Sequence, residues 1–389
     1  MAEFNSSVRT FVRGEGNYLI DARGRPLFDA ISSVWTVLHG HCHPDIVDAI
    51  TRQARTLDHS TLLGATHPRA EELAQRLSAL TGLPKAFFAS DGASAVEAAL
   101  KMTLQYWQQA GEPHRTRFVH LVDAYHGDTS GAMSVSDIDV FKSRFGAVTF
   151  ETRCLGDAVE NEDDVSAFIV EPIVQAAAGM RIVPRGRYDV LKERTTLLII
   201  DEIATGFGRT GTLFAFEQLG LRPDIVCLGK SITGGALPLS ATMVSERIFD
   251  AFLGAAGENT QFFHGHSYAG NPIACAAALA SLDIIERDRV LERVNDLSAA
   301  LQRELVALRT MPAVRDVRCI GLMCGIEIDA TRLDISNGPT AAWSVSDALF
   351  ERGYFTRPIS DVIQFVPPLS STEKEISGFC GSIAEVLNA

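Results

Sequence analysis

Short uninterrupted runs of apolar residues recur along the chain between residues 85 and 280. Because these runs show no alternation of polar and apolar positions, they predict strands covered on both faces of a sheet. The runs comprise residues 86–89, 118–122, 167–170, 197–200 and 225–228. Segments with helical spacing separate the runs; in residues 94–109, for example, apolar side chains follow at four-residue steps. This alternation predicts a mostly parallel α/β sheet.

The pattern changes after residue 280. Five apolar residues spaced four, three, four and four positions apart, from Val290 to Leu305, predict a long amphipathic helix. Residues 314–328 and 354–366 then predict strands. A capping box formed by Thr372 and Glu375 predicts one last helix.

Both ends of the chain contribute to a second, smaller unit. The first 35 residues predict short strands with turns at residues 14–17 and 23–26. We therefore expect a large α/β domain at residues 45–280. A small α+β domain would be assembled from residues 1–44 and 281–389.

Charge and composition restrict the classes of function. The chain has 389 residues, with 35 Lys or Arg and 48 Asp or Glu, so its formal net charge is −13. A field of this sign repels nucleic-acid backbones and anionic membranes, and we expect neither as a partner. Seven dispersed cysteines without a CxxC motif are typical of reduced thiols. Since no apolar run resembles a signal peptide or a membrane span, the sequence predicts a cytoplasmic protein.

Two polar residues follow predicted strands directly, where open α/β sheets bind ligands. Lys230 comes after the run 225–228, and a lysine desolvated there can act as a Schiff-base nucleophile. A lysine that extends its amine into solvent explains the position equally well. Asp201 ends the run 197–200, where a carboxylate needs a cation such as a protonated pyridine nitrogen. A helix-capping aspartate is the equal alternative.

Two more segments lie just beyond predicted strands. Residues 90–94, Ser-Asp-Gly-Ala-Ser, precede a predicted helix and can present backbone N–H groups to a phosphate. Tyr125 follows the run 118–122 and can stack on a flat ring, although a core tyrosine is the better explanation when it is taken alone.

Two apparent motifs are rejected. The segment Gly229-Lys230-Ser231 is similar to the end of a phosphate-binding P-loop, but that motif needs glycine at position 224, where this chain has Asp224. No early GxGxxG is present either, so nucleotide-binding and dehydrogenase functions are disfavoured. A dense set of possible metal ligands comprises His39, His41, Cys42 and His43. Alternate residues of an extended segment face opposite sides, and the last of these histidines precedes proline, which predicts a helix start. We therefore expect no metal site.

Taken in order, the motifs resemble the class III (ω-type) pyridoxal phosphate (PLP) aminotransferases over nearly the whole chain. The matching segments are residues 39–44, 90–93, 125–127, 171–172, 201–211, 228–230 and 264–272. The resemblance implies a PLP-dependent transferase of fold type I with pyridoxal 5'-phosphate as cofactor. It also implies a small-molecule amino donor, a keto acceptor, and a homodimer with shared active sites.

The resemblance assigns a role to each residue that would contact the cofactor. Lys230 would hold PLP as a Schiff base and move the substrate proton, Asp201 would bind the pyridine nitrogen, and Tyr125 would cover the ring. Gly92 and Ala93 would donate N–H groups to the phosphate.

Further residues would complete the phosphate and substrate sites. Ser267, with His266, would reach the phosphate from the partner subunit. The substrate would contact Trp35, Tyr125, Gly265 and Arg357. The arginine among them would grip a carboxylate with its two-pronged guanidinium.

One branch of the family is most similar to this sequence. Its enzymes act in biotin biosynthesis and convert 8-amino-7-oxononanoate to 7,8-diaminononanoate, with S-adenosylmethionine or lysine as amino donor. The diagnostic segments are residues 102–107, 125–135, 229–235 and 357–358. The tandem tryptophan of that branch is Val34-Trp35 here, so one ring is missing. The alternative is an ω-aminotransferase for another amino acid, amine or specialised metabolite.

Overall fold

The computed structural model describes residues 9–156, 162–255, 257–333 and 340–388. Its strands are β1 (Phe11–Glu15), β2 (Tyr18–Asp21), β3 (Pro26–Asp29), β4 (Lys85–Ala89), β5 (Arg117–His120), β6 (Arg153–Cys154), β7 (Val165–Val170), β8 (Val174–Gln175), β9 (Arg181–Ile182), β10 (Leu197–Asp201), β11 (Ile225–Leu228), β12 (Ser240–Val244), β13 (Val314–Ile320), β14 (Met323–Ile328), β15 (Tyr354–Phe355) and β16 (Val362–Phe365). Its helical segments are α1 (Ser32–Trp35), α2 (Pro44–Thr56), α3 (Pro68–Thr81), α4 (Gly92–Gln109), α5 (Ser130–Ser134), α6 (Asp139–Lys142), α7 (Glu246–Ala251), α8 (Pro272–Arg287), α9 (Val290–Arg309), α10 (Ala341–Glu351) and α11 (Glu373–Asn388).

A seven-stranded sheet forms the centre of the molecule, in the order β4-β12-β11-β10-β7-β5-β6. Strand β12 runs antiparallel to both of its neighbours, while β11, β10, β7, β5 and β6 run parallel to one another. The prediction of a mostly parallel α/β sheet is therefore confirmed. Strand β12 was not predicted, because Ser240 and Thr242 interrupt its apolar run.

Because these strands are parallel, their carboxyl ends meet at one edge of the sheet. Strand β5 ends at His120, two residues earlier than predicted, which leaves the next residues free to form a loop at this edge. The edge receives polar residues from β10 and from the loops after β5, β7 and β11. It is therefore the place where a site can be built from separate parts of the sequence.

Helix α4 begins immediately after β4, so its N-terminus opens at the same edge. Asp91 is its N-cap and accepts the backbone N–H of Ser94 at 2.9 Å. Helix α2 begins at Pro44, as predicted, with His43 as the N-cap. The predicted Thr372/Glu375 capping box is also present at the start of α11.

Two smaller sheets complete the fold. One has the order β1-β2-β3-β15 and thus joins both ends of the chain, and the other has the order β13-β14-β16. The segment 314–328, predicted as a strand, is a hairpin turned at Gly321, where φ is +56°. The segment 354–366 is not continuous either, since β15 and β16 belong to different sheets. The domain boundaries at residues 44 and 280 stay a prediction.

Segment α1 is a single left-handed turn. Its four residues have φ between 48° and 66°, and none is glycine. Such a conformation costs roughly 1–2 kcal/mol per residue, so long-range contacts must hold it. Asp29 accepts the N–H and the hydroxyl of Ser33, and the Ser32 hydroxyl donates to the carbonyl of Val366. In the described part of the chain, no helix is long and apolar enough to cross a membrane.

Candidate active site

A cavity of about 620 Å³ opens at the carboxyl edge of the central sheet. Six of the ten residues selected from the sequence line it: Trp35, Gly92, Ala93, Tyr125, Asp201 and Lys230. They come from five separate stretches of the chain that the parallel sheet and the left-handed turn bring together. The cavity is thus the candidate active site.

Lys230 projects into this cavity from the turn after β11. Its backbone is left-handed, with φ of +43°, and its Nζ lies 4.6 Å from the ring centroid of Trp35. Burial lowers the pKa of this amine below its usual value, although the charges of the nearby Asp201 and Glu171 oppose the shift. A larger neutral fraction makes the amine a better nucleophile and base.

Asp201 forms a buried pair with a histidine. Its Oδ2 lies 2.7 Å from Nδ1 of His126, and its Oδ1 accepts the backbone N–H of Ile203 at 3.0 Å. The carboxylate is therefore fixed in orientation at the wall of the cavity. Nε2 of His126 is buried and has no hydrogen-bond partner among the described residues.

Glu171 holds the loop that carries Tyr125. Its two carboxyl oxygens accept the backbone N–H groups of Tyr125 at 3.0 Å and of Ala176 at 3.3 Å. Burial raises the pKa of Glu171 to about 7. Burial, with Asp128 nearby, also raises the pKa of Tyr125, so the phenol stays protonated and neutral at ordinary pH.

The N-terminus of α4 is suited to bind an anion. Gly92 and Ala93 supply its first two N–H groups, which have no acceptor within the helix. The helix dipole adds positive potential at this end. A Cβ at Gly92 would lie 2.8 Å from the side chain of Ile203, so only glycine allows the backbone to lie this close to Ile203. Gly127 is equally constrained, because a Cβ there would lie 2.5 Å from that of Ala93.

The chemistry of these groups fits PLP. A nucleophilic amine, a fixed carboxylate, an anion-binding helix N-terminus and an aromatic ring line one cavity. They correspond to the aldehyde, the pyridine nitrogen, the phosphate and the ring of that cofactor.

Trp35 links the cavity wall to Arg357. Its Nε1 donates to Oε1 of Gln364 at 2.9 Å, and Nε2 of Gln364 donates to the carbonyl of Arg357 at 2.7 Å. The Arg357 side chain is exposed and does not line the cavity. The structure therefore ties the backbone of this residue to the site without bringing its guanidinium into it.

Residues 265–267 lie at the margin of the site. Gly265 and Ser267 are exposed and do not line the cavity. Nε2 of His266 lies 3.3 Å from Oγ of Ser90, which does line it. Within one chain, the structure thus places this segment beside the cavity rather than in it.

Two buried polar residues of the site, His126 and Glu171, have no role predicted from the sequence, although both lie in segments that resemble the family. The available signal was their position just beyond a buried strand, where a polar side chain needs a partner. The partner of each residue depends on the order of the strands in the sheet, and that order cannot be derived from the local sequence.

Comparisons with known proteins agree with this geometry. The sequence profile of the class-III aminotransferases matches residues 2–387. The adenosylmethionine-8-amino-7-oxononanoate aminotransferase of Nitratidesulfovibrio vulgaris is 42% identical over 93% of this chain and 74% of its own length. That of Methanocaldococcus jannaschii is 38% identical over 100% of this chain and 94% of its own.

Solved structures are similar over the same extent. The crystal structure of the Methanocaldococcus jannaschii enzyme superposes with a TM-score of 0.92 at 40% identity, covering 98% of this chain and 93% of that chain. A PLP-bound amine transaminase from an uncultivated Pseudomonas species gives a TM-score of 0.90 at 31% identity, covering 100% of this chain and 96% of that chain.

Proposed function

This chain belongs to the class-III aminotransferase family, and we propose that it transfers an amino group to the keto carbon of 8-amino-7-oxononanoate, giving 7,8-diaminononanoate. One observation carries the proposal. Lys230 and Asp201 line one cavity in a chain that is 42% identical, over 93% of its length, to an enzyme named for this substrate. The proposed amino donor is S-adenosylmethionine or lysine. We also propose a cytoplasmic location, supported by seven cysteines that are all free.

Its cofactor is PLP, which supplies an aldehyde that accepts the amino group and a ring that withdraws electrons from the reacting carbon. The neutral amine of Lys230 would bind the aldehyde and then carry the proton to and from the substrate carbon. Asp201 would hold the pyridine nitrogen, and the N–H groups of Gly92 and Ala93 would hold the phosphate. Tyr125 would cover the ring without adding charge.

His126 would act through Asp201. A carboxylate can only accept, so Nδ1 of His126, 2.7 Å from Oδ2, would donate a proton to that oxygen and hold the group in one orientation. Glu171 would act on the other side of the site by holding the backbone of Tyr125. Both would position groups that contact the cofactor.

The function is tested with the purified PLP form, 8-amino-7-oxononanoate, and either S-adenosylmethionine or lysine as the donor. We expect 7,8-diaminononanoate by mass spectrometry with at least one donor. Lys230→Ala is the matched control: it should lose turnover yet still bind PLP without a covalent bond, because the phosphate and nitrogen contacts remain. Turnover of other ω-amino acids or amines, with no diamine from either donor, would support the alternative substrate class instead.

Arg357 is proposed to bind the substrate carboxylate from the margin of the cavity, where Gln364 holds its backbone and its exposed guanidinium would have to turn inward. Arg357→Ala should lower kcat/KM for a substrate that carries this carboxylate by roughly 30-fold or more, the equivalent of about 2 kcal/mol for a bidentate charged contact. The methyl ester should lose much less, and the absorbance of the bound cofactor should not change. Equal losses for acid and ester would place the carboxylate anchor elsewhere.

A further inference from the structure

A second cluster of polar side chains lies at the outer end of the same sheet edge. His120 ends β5 and Cys154 ends β6, and the two residues are paired in the parallel register of these edge strands. Asp137 reaches them from the loop that follows α5. One possible ligand atom from each of the three residues lies within 4.8 Å of the other two. None of the three lines the active-site cavity.

The spacing of this cluster is close to that of a metal centre. Sγ of Cys154 lies 3.9 Å from Nδ1 of His120. Tetrahedral zinc with its usual bond lengths to sulfur and nitrogen places those atoms about 3.6 Å apart, so this pair has to close by only a few tenths of an ångström.

The other ring nitrogen of His120 already has an orienting partner. Its Nε2 lies 3.0 Å from the hydroxyl oxygen of Thr152, and metal-bound histidines generally donate their second N–H to such a group. Nδ1 lies 2.9 Å from the carbonyl oxygen of Leu121. An ion bound at Nδ1 would lie against this carbonyl oxygen, which must move aside or become the fourth ligand.

We propose that His120, Asp137 and Cys154 bind one Zn²⁺ ion per chain. Imidazole, thiolate and carboxylate are the ligands that zinc takes in proteins, and three of them leave one position for water. The thiolate and the carboxylate together neutralise the charge of the ion.

The ion would stabilise the loop that carries the active-site residues. Asp137 donates its backbone N–H to the carbonyl of Ala124 at 2.8 Å, and its Oδ2 accepts the N–H of Asp123 at 3.1 Å. Tyr125 and His126 follow directly. The proposed role is thus structural: the ion fixes the start of this loop and has no part in the chemistry.

The chain contains a matched control at the histidine-rich segment near residue 40. His39 pairs with Ser281, His41 pairs with Asp29, and His43 caps α2, so each ring is committed to another partner. Cys42 in this segment is exposed, like Cys154. Cys42→Ser therefore removes an exposed thiol that also has neighbouring histidines but lies outside the proposed metal site.

The test is a titration of the metal-depleted, PLP-loaded enzyme with Co²⁺, which reports a tetrahedral site with a thiolate ligand by absorbance in the red, where PLP does not absorb. We expect one Co²⁺ per chain, displaced by Zn²⁺, and a higher Tm with Zn²⁺. Cys154→Ser and Asp137→Asn should each weaken binding by at least about 10- to 100-fold. Cys42→Ser should bind like the unaltered chain.

Several results would overturn the proposal. They are the absence of a red band at one equivalent of Co²⁺, a band that survives Cys154→Ser, or a band that Cys42→Ser removes. Far-UV circular dichroism and cooperative unfolding in urea serve as the folding check for each variant, so that a lost band cannot be attributed to a misfolded chain.

Discussion

At Asp201, a single carboxylate is held by two neighbours on opposite sides. Nδ1 of His126 contacts one oxygen at 2.7 Å, and the N–H of Ile203 binds the other at 3.0 Å. Two charge-assisted hydrogen bonds of this kind fix both the orientation and the acceptor character of the group. The wall of the cavity therefore presents this carboxylate in one orientation, as a positively charged nitrogen requires.

Asp201→Asn should lower kcat by roughly 100-fold or more, the usual effect of removing one preorganised electrostatic partner. The amide cannot stabilise a protonated pyridine nitrogen, so the cofactor ring withdraws electrons less effectively. Single-turnover kinetics with the amino donor measure the effect, and PLP content is measured in parallel. A near-normal single-turnover rate with full PLP content would mean that Asp201 has a structural role.

Glu202 is adjacent in sequence but does not line the cavity. It is fully buried away from the cavity, where it accepts the hydroxyl of Thr205 at 2.6 Å and the N–H of Phe216 at 2.7 Å. Burial raises the pKa of this carboxyl to about 8. The folded chain thus keeps a proton on Glu202 at pH values where the unfolded chain has released it.

The sign of the pH effect follows from this difference. Between an ordinary glutamate pKa of about 4.3 and the folded value, the folded state binds one more proton than the unfolded state, so rising pH destabilises it by up to about 1.4 kcal/mol per pH unit. Glu202→Gln removes this dependence. We expect its free energy of unfolding, relative to that of the unaltered chain, to increase from pH 5 to pH 8 in urea titrations. A constant difference across this range would contradict the raised pKa.

At the scale of single elements, the left-handed turn α1 carries an unusual conformational cost. Val34 lies in its middle with φ of +64°, a region that β-branched residues rarely adopt. Its side chain is 41% exposed, so it gains little from burial. The turn persists because Asp29 and the backbone of Val366 hold its two serines.

Val34→Asn should therefore stabilise the chain by about 1 kcal/mol, since asparagine adopts the left-handed region at lower cost. The free energy of unfolding in urea measures the change. Val12→Asn is the matched control, because Val12 is exposed on β1 and does not have a left-handed backbone, so asparagine should give no gain there. Equal effects of the two substitutions would mean that the strain at Val34 is already relieved.

Some of these elements could be predicted from the local sequence and others could not. The strands β7, β10 and β11 could be predicted because each is an apolar run that the sheet buries on both faces. Helix α9 could be predicted from its periodicity. The turn α1 could not, since Ser-Ser-Val-Trp has no glycine and one of its two anchors, Val366, lies 334 positions from Ser32.

The residues of the candidate active site also include some that could be predicted from the sequence and some that could not. Lys230 and Asp201 were accessible to sequence reasoning because each is a charged residue at the end of an apolar run. The His126–Asp201 contact joins residues 75 positions apart, and only the order of β5, β7 and β10 in the sheet makes it possible.

At the scale of the whole molecule, one buried arginine joins the ends of the chain to its centre. The Arg209 side chain is fully buried and donates to the carbonyls of Val37 at 3.0 Å and of Pro367 at 2.8 Å. These acceptors come from segments more than 300 residues apart. Burial lowers the pKa of this guanidinium to about 9, and its charge in turn favours the neutral form of Lys230. The arginine that joins the two ends of the chain therefore also lowers the pKa of the active-site lysine.

Apolar surface beside the active site supports the proposed homodimer. Leu63 and Tyr268 are each more than 60% exposed. The ring of Tyr268 lies 5.1 Å from that of His59, and the Leu63 side chain approaches Gly265. Large apolar side chains exposed on one surface are typical of a surface that another chain covers. Ser267 belongs to the same segment, so a second copy on this surface would bring its Ser267 to the neighbouring cavity.

Subunit mixing tests whether Ser267 acts in its own site or in that of its partner. Ser267→Asp places a negative charge against the phosphate and should inactivate the enzyme alone, as Lys230→Ala does. The two variants, Ser267→Asp and Lys230→Ala, are then mixed.

If Ser267 serves the partner, a mixed dimer has one site with both defects and one intact site. Random exchange of equal amounts then restores about a quarter of the unaltered activity, because half of the dimers are mixed and each has one working site of two. If Ser267 serves its own subunit, every site in the mixed dimer carries one defect and mixing restores nothing. Light scattering on the same samples reports whether the dimer forms, so a full-activity monomer would refute the shared site directly.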